Sequence, residues 1–338
     1  MSSSTNKVVV SEILPYIRVY DDGTVERLLN IPSVPPQLND PQTGVSSKDI
    51  TIFPDTGLSA RLYLPKLSPD DHQKLPILVY FHGGSFCIDS SSSSLCHRYM
   101  SILVSRANII TVSVEYRLVP EHPLPAAYED CWSALKWVSS NSSEDNSSPG
   151  IIHEPWLRQH GDFERVFIGG DSSGANIVHN VAMRAGLEPL CSGVKLLGAF
   201  LNQPYFTGSM PIGNEPKERM EESLEHRLWK FAFPSCEDGV DNPAINPLGP
   251  KARSLSVLGC RKMFVSVGGA DSLRDRGIWY CNAVKETGWE GEIEFFETEG
   301  EGHAFHIFNP ATENAQSLLY LLPFFSSGGS NLDTESCA

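Results

Sequence analysis

Short apolar segments recur along the chain, and several are apolar at nearly every position. The clearest examples are residues 76–81, 109–114, 165–168, 196–201, 263–267 and 293–296. Strands that are apolar on both faces are typical of a parallel sheet covered by helices on both sides. Two earlier runs, residues 48–53 and 60–64, also have strand character.

The segments between these runs have the spacing of helices. They are residues 126–139, 175–185, 274–287 and 311–325. Alternating strands and helices predict an α/β fold with a mainly parallel central sheet flanked by helices. We expect residues 1–325 to form one domain and the polar residues 326–338 to form a flexible tail.

Two segments interrupt this alternation. The chain before about residue 45 is rich in proline and polar residues and contains an amphipathic stretch at 8–19. Residues 205–250 hold many prolines and glycines around a helix-like stretch at 218–231. We expect elements of 1–40 and 205–250 to form a cap over the sheet, and the serine-rich residues 139–150 to form a surface loop.

Charge and composition exclude several classes of protein. The chain has 41 acidic and 26 basic residues, hence a formal net charge of −15, which disfavours binding to nucleic acid or to an anionic membrane. No apolar run approaches the ~20 residues of a membrane span, and the first residues do not resemble a signal peptide. The eight cysteines have no paired CxxC spacing, which predicts free thiols and a cytoplasmic protein.

The strongest chemical signal is a G-x-S-x-G pattern, Gly170-Asp-Ser-Ser-Gly174. It follows a predicted strand and precedes a predicted helix, a context in which the central serine lies on a sharp turn with its hydroxyl exposed. Ser172 is therefore the candidate nucleophile, and we expect Ser173 to act as a helix N-cap.

A serine nucleophile needs a base to accept its proton and an acid to orient that base. His303 lies in a loop just after the strand at 293–296, at the edge of the sheet where α/β enzymes assemble their sites. His306 is the alternative base. Asp271 directly follows the strand at 263–267 and is the candidate acid, whereas Asp275 is expected to pair with a neighbouring arginine.

Backbone donors for a developing oxyanion are expected after the strand at 76–81. His82-Gly-Gly-Ser-Phe86 follows it, and glycines allow the backbone to approach a substrate closely. We predict that the N–H groups of Gly83, Gly84 and Ala175 form the oxyanion hole. His82 precedes these donors and is expected to support the loop.

Five motifs together identify a resemblance that runs from about residue 12 to residue 326. They are His82-Gly-Gly-Ser85, Tyr116-Arg-Leu-Val-Pro-Glu-His122, Pro125-Ala-Ala-Tyr-Glu-Asp130, Gly170-Asp-Ser-Ser-Gly-Ala-Asn176 and Asp271-Ser-Leu-Arg-Asp275. The chain resembles plant carboxylesterases of the hormone-sensitive-lipase group and is similar to their 2-hydroxyisoflavanone dehydratase-like members. The resemblance implies an α/β-hydrolase fold with a cap, hydrolysis of small carboxylic esters, and no metal or organic cofactor.

Two other activities occur on the scaffold that the chain resembles. One is a lyase, either a dehydratase or an alkaloid cyclase of plant specialised metabolism, in which the histidine acts as a base without an acyl-enzyme. The other is a gibberellin-receptor-like binder, and His303 speaks against it because those receptors lack this histidine. Many legume dehydratases carry threonine at the position of Ser172, so the serine favours the esterase.

The expected partner is a small-molecule ester or specialised metabolite, held under the cap in an apolar pocket. Candidate substrate-binding residues are Ser85, Phe86, Phe206, Trp229 and Phe233. A monomer and a homodimer are both compatible with this site.

Overall fold

The computed structural model describes residues 7–68, 73–143, 153–218 and 220–322. The predicted tail at 326–338 lies outside these residues, as does most of the predicted loop at 139–150.

The described residues form eleven strands and eight α-helices. The strands are β1 (Val9–Ile13), β2 (Ile17–Tyr20), β3 (Val25–Arg27), β4 (Ser46–Phe53), β5 (Leu58–Leu64), β6 (Leu75–Phe81), β7 (Ile110–Glu115), β8 (Gly161–Asp171), β9 (Leu196–Asn202), β10 (Cys260–Gly268) and β11 (Glu292–Thr298). The helices are α1 (Ser94–Ala107), α2 (Ala126–Ser140), α3 (Pro155–His160), α4 (Ser173–Ala185), α5 (Leu224–Ala232), α6 (Arg274–Glu286), α7 (Phe305–Phe308) and α8 (Glu313–Leu321).

Eight of the strands form one sheet in the order β11-β10-β9-β8-β6-β7-β5-β4. Strands β6 to β11 are parallel to one another, and β5 runs antiparallel to both β7 and β4. The predicted mainly parallel sheet is confirmed. Its parallel strands end at one common edge, so the loops that follow them meet there.

Helices cover both faces of this sheet. On one face α2, α4 and α6 pack against residues such as Ile77 and Val79. On the other face α1 and α8 pack against residues such as Leu78 and Tyr80. Alternate side chains of β6 thus pack into the cores on opposite faces of the sheet, which explains why the whole strand is apolar.

Helix α1 is an element that the apolar pattern did not reveal. Its N-cap is Ser93, whose hydroxyl accepts a hydrogen bond from the Cys96 N–H at 3.1 Å. The cap lies in a run of serines that gives little helical signal by itself. Burial of residues such as Tyr99 and Leu103 against the sheet stabilises the helix.

The two segments predicted to form a cap contact one another. The amphipathic stretch at 8–19 becomes β1 and β2, which form a small antiparallel sheet with β3. This sheet packs against α5, and the Arg227 side chain donates to the Glu12 carbonyl at 3.2 Å. Among the described residues, no helix combines the length and apolarity needed to span a membrane.

Candidate active site

Ser172 lies in a sharp turn between β8 and α4. Its φ of 56° and ψ of −118° are unusual for a residue with a side chain, and its N–H donates to the Asn202 carbonyl at 2.9 Å. Gly174 allows this turn, because a Cβ there would lie 2.0 Å from the Phe81 carbonyl oxygen. The elbow predicted from G-x-S-x-G is therefore formed, and the N-cap position of α4 is occupied by Ser172 and not by Ser173 as expected.

Ser172, His303 and Asp271 form one hydrogen-bonded chain. The His303 Nε2 lies 2.8 Å from the Ser172 Oγ, and the His303 Nδ1 lies 2.7 Å from the Asp271 Oδ2. The Asp271 side chain is 1% exposed, and its other oxygen accepts the Leu273 N–H at 3.0 Å. Because a buried carboxylate accepts a hydrogen bond from the Nδ1–H, the lone pair of Nε2 faces Ser172 and can accept a proton from its hydroxyl.

The geometry separates His303 from the alternative base. The His303 side chain is 37% exposed at the mouth of the site, whereas His306 is fully buried and its Nε2 donates to the Asp171 carboxylate. His306 therefore lies beneath the elbow, on the side away from solvent. Asp275 forms an ion pair with Arg274 at 2.8 Å, and this is the pairing with a neighbouring arginine that the sequence predicted.

The loop after β6 lies against the elbow. A Cβ at Gly83 would be 3.5 Å from the Ser172 Cβ, so this backbone borders Ser172. Gly84 has a φ of 103°, and a Cβ there would lie 2.2 Å from the Ile88 carbonyl oxygen. The Phe86 N–H donates to the Ser173 Oγ at 3.3 Å and ties the loop to the start of α4.

His82 lies below this loop. Its ring stacks on Tyr116 with centroids 4.3 Å apart, and its Nδ1 is 2.8 Å from the Gly83 carbonyl oxygen. The Tyr116 hydroxyl donates to the His82 carbonyl at 2.7 Å. These contacts fix the backbone just before Gly83 and Gly84, so His82 supports the loop.

The predicted substrate-binding residues divide into two groups. Phe86, Phe206 and Trp229 are at most 1% exposed, because they pack within the apolar core. Side chains this buried present no surface to a ligand, which contradicts the prediction that they line a pocket. Ser85 and Phe233 are partly exposed.

Cys87 is a second nucleophile type close to the site, and its environment makes it inert. The side chain is fully buried next to the glycine loop. Burial raises the pKa of its thiol to about 12, so it stays protonated at neutral pH.

Polar residues at the end of β9 are part of the site and were not predicted. Asn202 accepts the Ser172 N–H through its carbonyl, and its side chain donates to Asp171 at 3.0 Å. It also accepts from the Ser266 hydroxyl at 2.8 Å. The signal available in the sequence was the pair Asn202-Gln203 directly after an apolar strand, at the edge where the other site residues lie.

Known proteins resemble this chain in sequence and in fold. The alpha/beta hydrolase fold family matches residues 78–307. A 2-hydroxyisoflavanone dehydratase of Glycyrrhiza echinata is 53% identical over 94% of this chain and 96% of its own length. A probable carboxylesterase of Arabidopsis thaliana is 43% identical over 95% and 98%.

A solved structure gives the same assignment. The esterase of Pyrobaculum calidifontis superposes with a TM-score of 0.65 and 26% identity, covering 82% of this chain and 83% of that one. The chain is therefore an enzyme of the alpha/beta-hydrolase family, in the hormone-sensitive-lipase-like group that includes plant carboxylesterases and 2-hydroxyisoflavanone dehydratases.

Proposed function

We propose that this enzyme is a serine carboxylesterase that hydrolyses small carboxylic esters through an acyl-enzyme. The observation that carries the proposal is the hydrogen-bonded chain from Asp271 through His303 to Ser172. Its serine lies on an elbow and its histidine reaches solvent, so the reacting atoms are accessible.

The reaction divides into two steps. The Ser172 Oγ attacks the acyl carbon while the His303 Nε2 takes its proton, and the C–O bond to the alcohol breaks as His303 returns a proton to the leaving oxygen. Water, deprotonated by His303, then attacks the acyl-enzyme and releases the carboxylic acid and Ser172. Asp271 stabilises the imidazolium throughout and keeps its own charge.

Backbone N–H groups around the elbow would hold the oxyanion. Gly83 and Gly84 supply two of them in this proposal, and Ala175 was the predicted third. Ala175 is the third residue of α4, whereas Ser173 directly follows the nucleophile. Since the N–H after the nucleophile faces the oxyanion in such elbows, we assign the third donor to Ser173 in place of Ala175.

Ser85 and Phe233 remain the proposed contacts to substrate. Ser85 follows the two glycine donors, and its φ of 56° continues the positive φ of Gly84. Phe233 ends α5, the cap helix that packs on the N-terminal sheet. We also propose a cytoplasmic location, as a monomer or homodimer, for an enzyme whose described cysteines are all free thiols.

A lyase is the second candidate, because a relative that is 53% identical is named a dehydratase. In that reaction His303 would remove a proton from carbon and return it to the hydroxyl group that leaves the neighbouring carbon as water. No covalent bond to Ser172 is needed, and this difference separates the two functions.

The test compares the wild type with Ser172→Ala and with Ser256→Ala, which changes an exposed serine far along the chain. Each protein is assayed on p-nitrophenyl acetate and butyrate. Each is also treated with a fluorophosphonate, and the mass of the intact protein is measured by mass spectrometry. We expect turnover and one covalent adduct in the wild type and Ser256→Ala, and neither in Ser172→Ala.

Dehydration of a 2-hydroxyisoflavanone is measured on the same three proteins. Dehydration that survives in Ser172→Ala, together with absent ester turnover in the wild type, would replace the esterase by the lyase. Wild-type inactivity in both assays would contradict both candidates.

A further inference from the structure

Gln203 is buried beside the active site without a role in the proposed chemistry. It follows β9, is 1% exposed, and has a φ of 49°, which is uncommon for a residue with a long side chain. Its N–H donates to the Ser266 carbonyl at 2.7 Å, which fixes its backbone to β10. Strained conformations of this kind persist where the surrounding structure enforces them.

The Gln203 amide binds the backbone on both sides of His303. Its Nε2 donates to the Gly302 carbonyl at 2.9 Å, and its Oε1 accepts the Ala304 N–H at 2.5 Å. The two bonds use opposite ends of one amide, so its orientation is defined by its partners. Ala304 has a φ of 55°, so the bond to its N–H holds a second left-handed residue in place.

The packing around this amide leaves no spare room. A Cβ at Gly268 would lie 2.9 Å from the Gln203 Nε2 and 2.5 Å from the Glu301 carbonyl oxygen. Only a glycine at the end of β10 therefore lets the His303 loop approach Gln203 this closely. Three segments, the ends of β9 and β10 and the loop after β11, meet at this amide.

We infer that Gln203 is a positioning residue that sets the distance and angle of His303 to Ser172 by holding the peptide groups on either side of it. The inference rests on the proposed function for its kinetic part only. The His303 side chain is 37% exposed, whereas the two Gln203 bonds act directly on the peptide groups that flank it. A misplacement of about 1 Å in such a base can cost about 100-fold in rate.

The test uses Gln203→Met, which removes both hydrogen bonds at similar volume, and Gln203→Glu, which keeps only the acceptor. Gln316→Met is the matched control, because Gln316 also donates to a backbone carbonyl, that of Pro310, away from His303. We measure kcat and KM on p-nitrophenyl acetate, the thermal midpoint, and the low-field proton resonance of the His303 Nδ1–H, assigned by its loss in His303→Gln.

For Gln203→Met we expect kcat to fall about 10- to 100-fold with KM changed by less than about threefold, and the His303 resonance to shift or broaden. For Gln203→Glu we expect kcat to fall about fivefold or more. If Gln203→Met does not fold, this variant alone decides whether the Gln203 amide affects kcat. Gln316→Met should stay within about twofold of the wild type.

The inference is overturned if the folded Gln203 variants retain the wild-type kcat and resonance, or if Gln316→Met loses as much. A wild type without ester turnover would contradict the proposed function alone. The resonance needs no substrate, so its response to Gln203→Met and Gln203→Glu would still decide whether Gln203 positions His303.

Discussion

His306 and Asp171 form a buried pair directly beneath the exposed pair of His303 and Ser172. The His306 Nε2 donates to the Asp171 Oδ1, and both side chains are at most 1% exposed. Asp171 precedes Ser172, the proposed nucleophile, and His306 follows His303, the proposed base, by three residues. The lower pair therefore joins the two loops whose upper residues carry the proposed chemistry.

Breaking the lower pair should cost stability. His306→Phe keeps a ring against Tyr99, which now packs 5.3 Å from the His306 centroid, but removes a donor from a buried carboxylate. We expect a loss of roughly 3 kcal/mol in the free energy of unfolding. Urea unfolding of His306→Phe, Asp171→Asn and the double variant should give a coupling energy of about 1 kcal/mol or more.

A buried histidine without a carboxylate partner provides the control. His226 bonds to the Gly208 carbonyl at 3.1 Å, so His226→Phe should lose only about 1 kcal/mol. Equal losses of unfolding free energy in His306→Phe and His226→Phe, with no coupling to Asp171, would show that the pair of His306 and Asp171 adds no stability beyond an ordinary buried hydrogen bond.

Asp271→Asn should remove most of the activity and little of the stability. An amide in place of the carboxylate is a weaker acceptor for the Nδ1–H and does not stabilise the imidazolium, and we expect kcat to fall about 10³- to 10⁴-fold. Steady-state kinetics on p-nitrophenyl acetate measure this loss.

Asp275→Asn is the matched substitution one turn further along. Asp275 accepts from Arg274 and from the Asn214 N–H, so its loss should lower the thermal midpoint and leave kcat within several-fold. If the loss of kcat were as large in Asp275→Asn as in Asp271→Asn, the assignment of the acid would be wrong.

Gly84→Ala should disrupt the loop after β6. A methyl group there meets the Ile88 carbonyl oxygen at 2.2 Å, so the backbone that borders Ser172 must move. We expect activity to fall about 100-fold, the cost of losing one aligned donor. Gly23 has a similar φ of 81° with nothing within 4 Å, so Gly23→Ala should cost about 1 kcal/mol of stability and no activity. Similar activity in the two variants would argue against a role for this loop.

His179 should make the fold sensitive to acid. It is buried against Tyr280, and burial lowers its pKa from 6.5 to about 3. Between these values the unfolded chain binds a proton that the folded protein does not, so this residue's contribution to stability falls as pH drops from about 6.5 to about 3.

His179→Gln keeps a side chain that can accept from the Tyr280 hydroxyl but cannot titrate. Thermal midpoints measured between pH 4 and pH 7 should therefore fall less steeply with acid in His179→Gln than in the wild type. Parallel curves for the two proteins would show that His179 does not contribute to acid unfolding.

Local features of the sequence were sufficient for the parallel strands of the sheet and for placing Ser172, Asp271 and His303 in the turns and loops that follow them. Continuous apolar runs define strands because both faces of a parallel sheet are buried, and the runs at 76–81 and 263–267 reappear within β6 and β10. Glycines around Ser172 indicate the elbow, since a side chain at Gly174 would collide with the neighbouring strand. Asp271 and His303 follow strands, and such loops converge at one edge.

Contacts between distant segments were decided only by the tertiary structure. Ser172 and His303 are 131 positions apart, and which of two nearby histidines reaches the serine depends on how the loop after β11 is held. Burial of Phe86, Phe206 and Trp229 and the role of Gln203 depend likewise on which segments pack together. Hydrophobic periodicity reports the environment of one element, whereas these properties arise from the shape that several elements enclose.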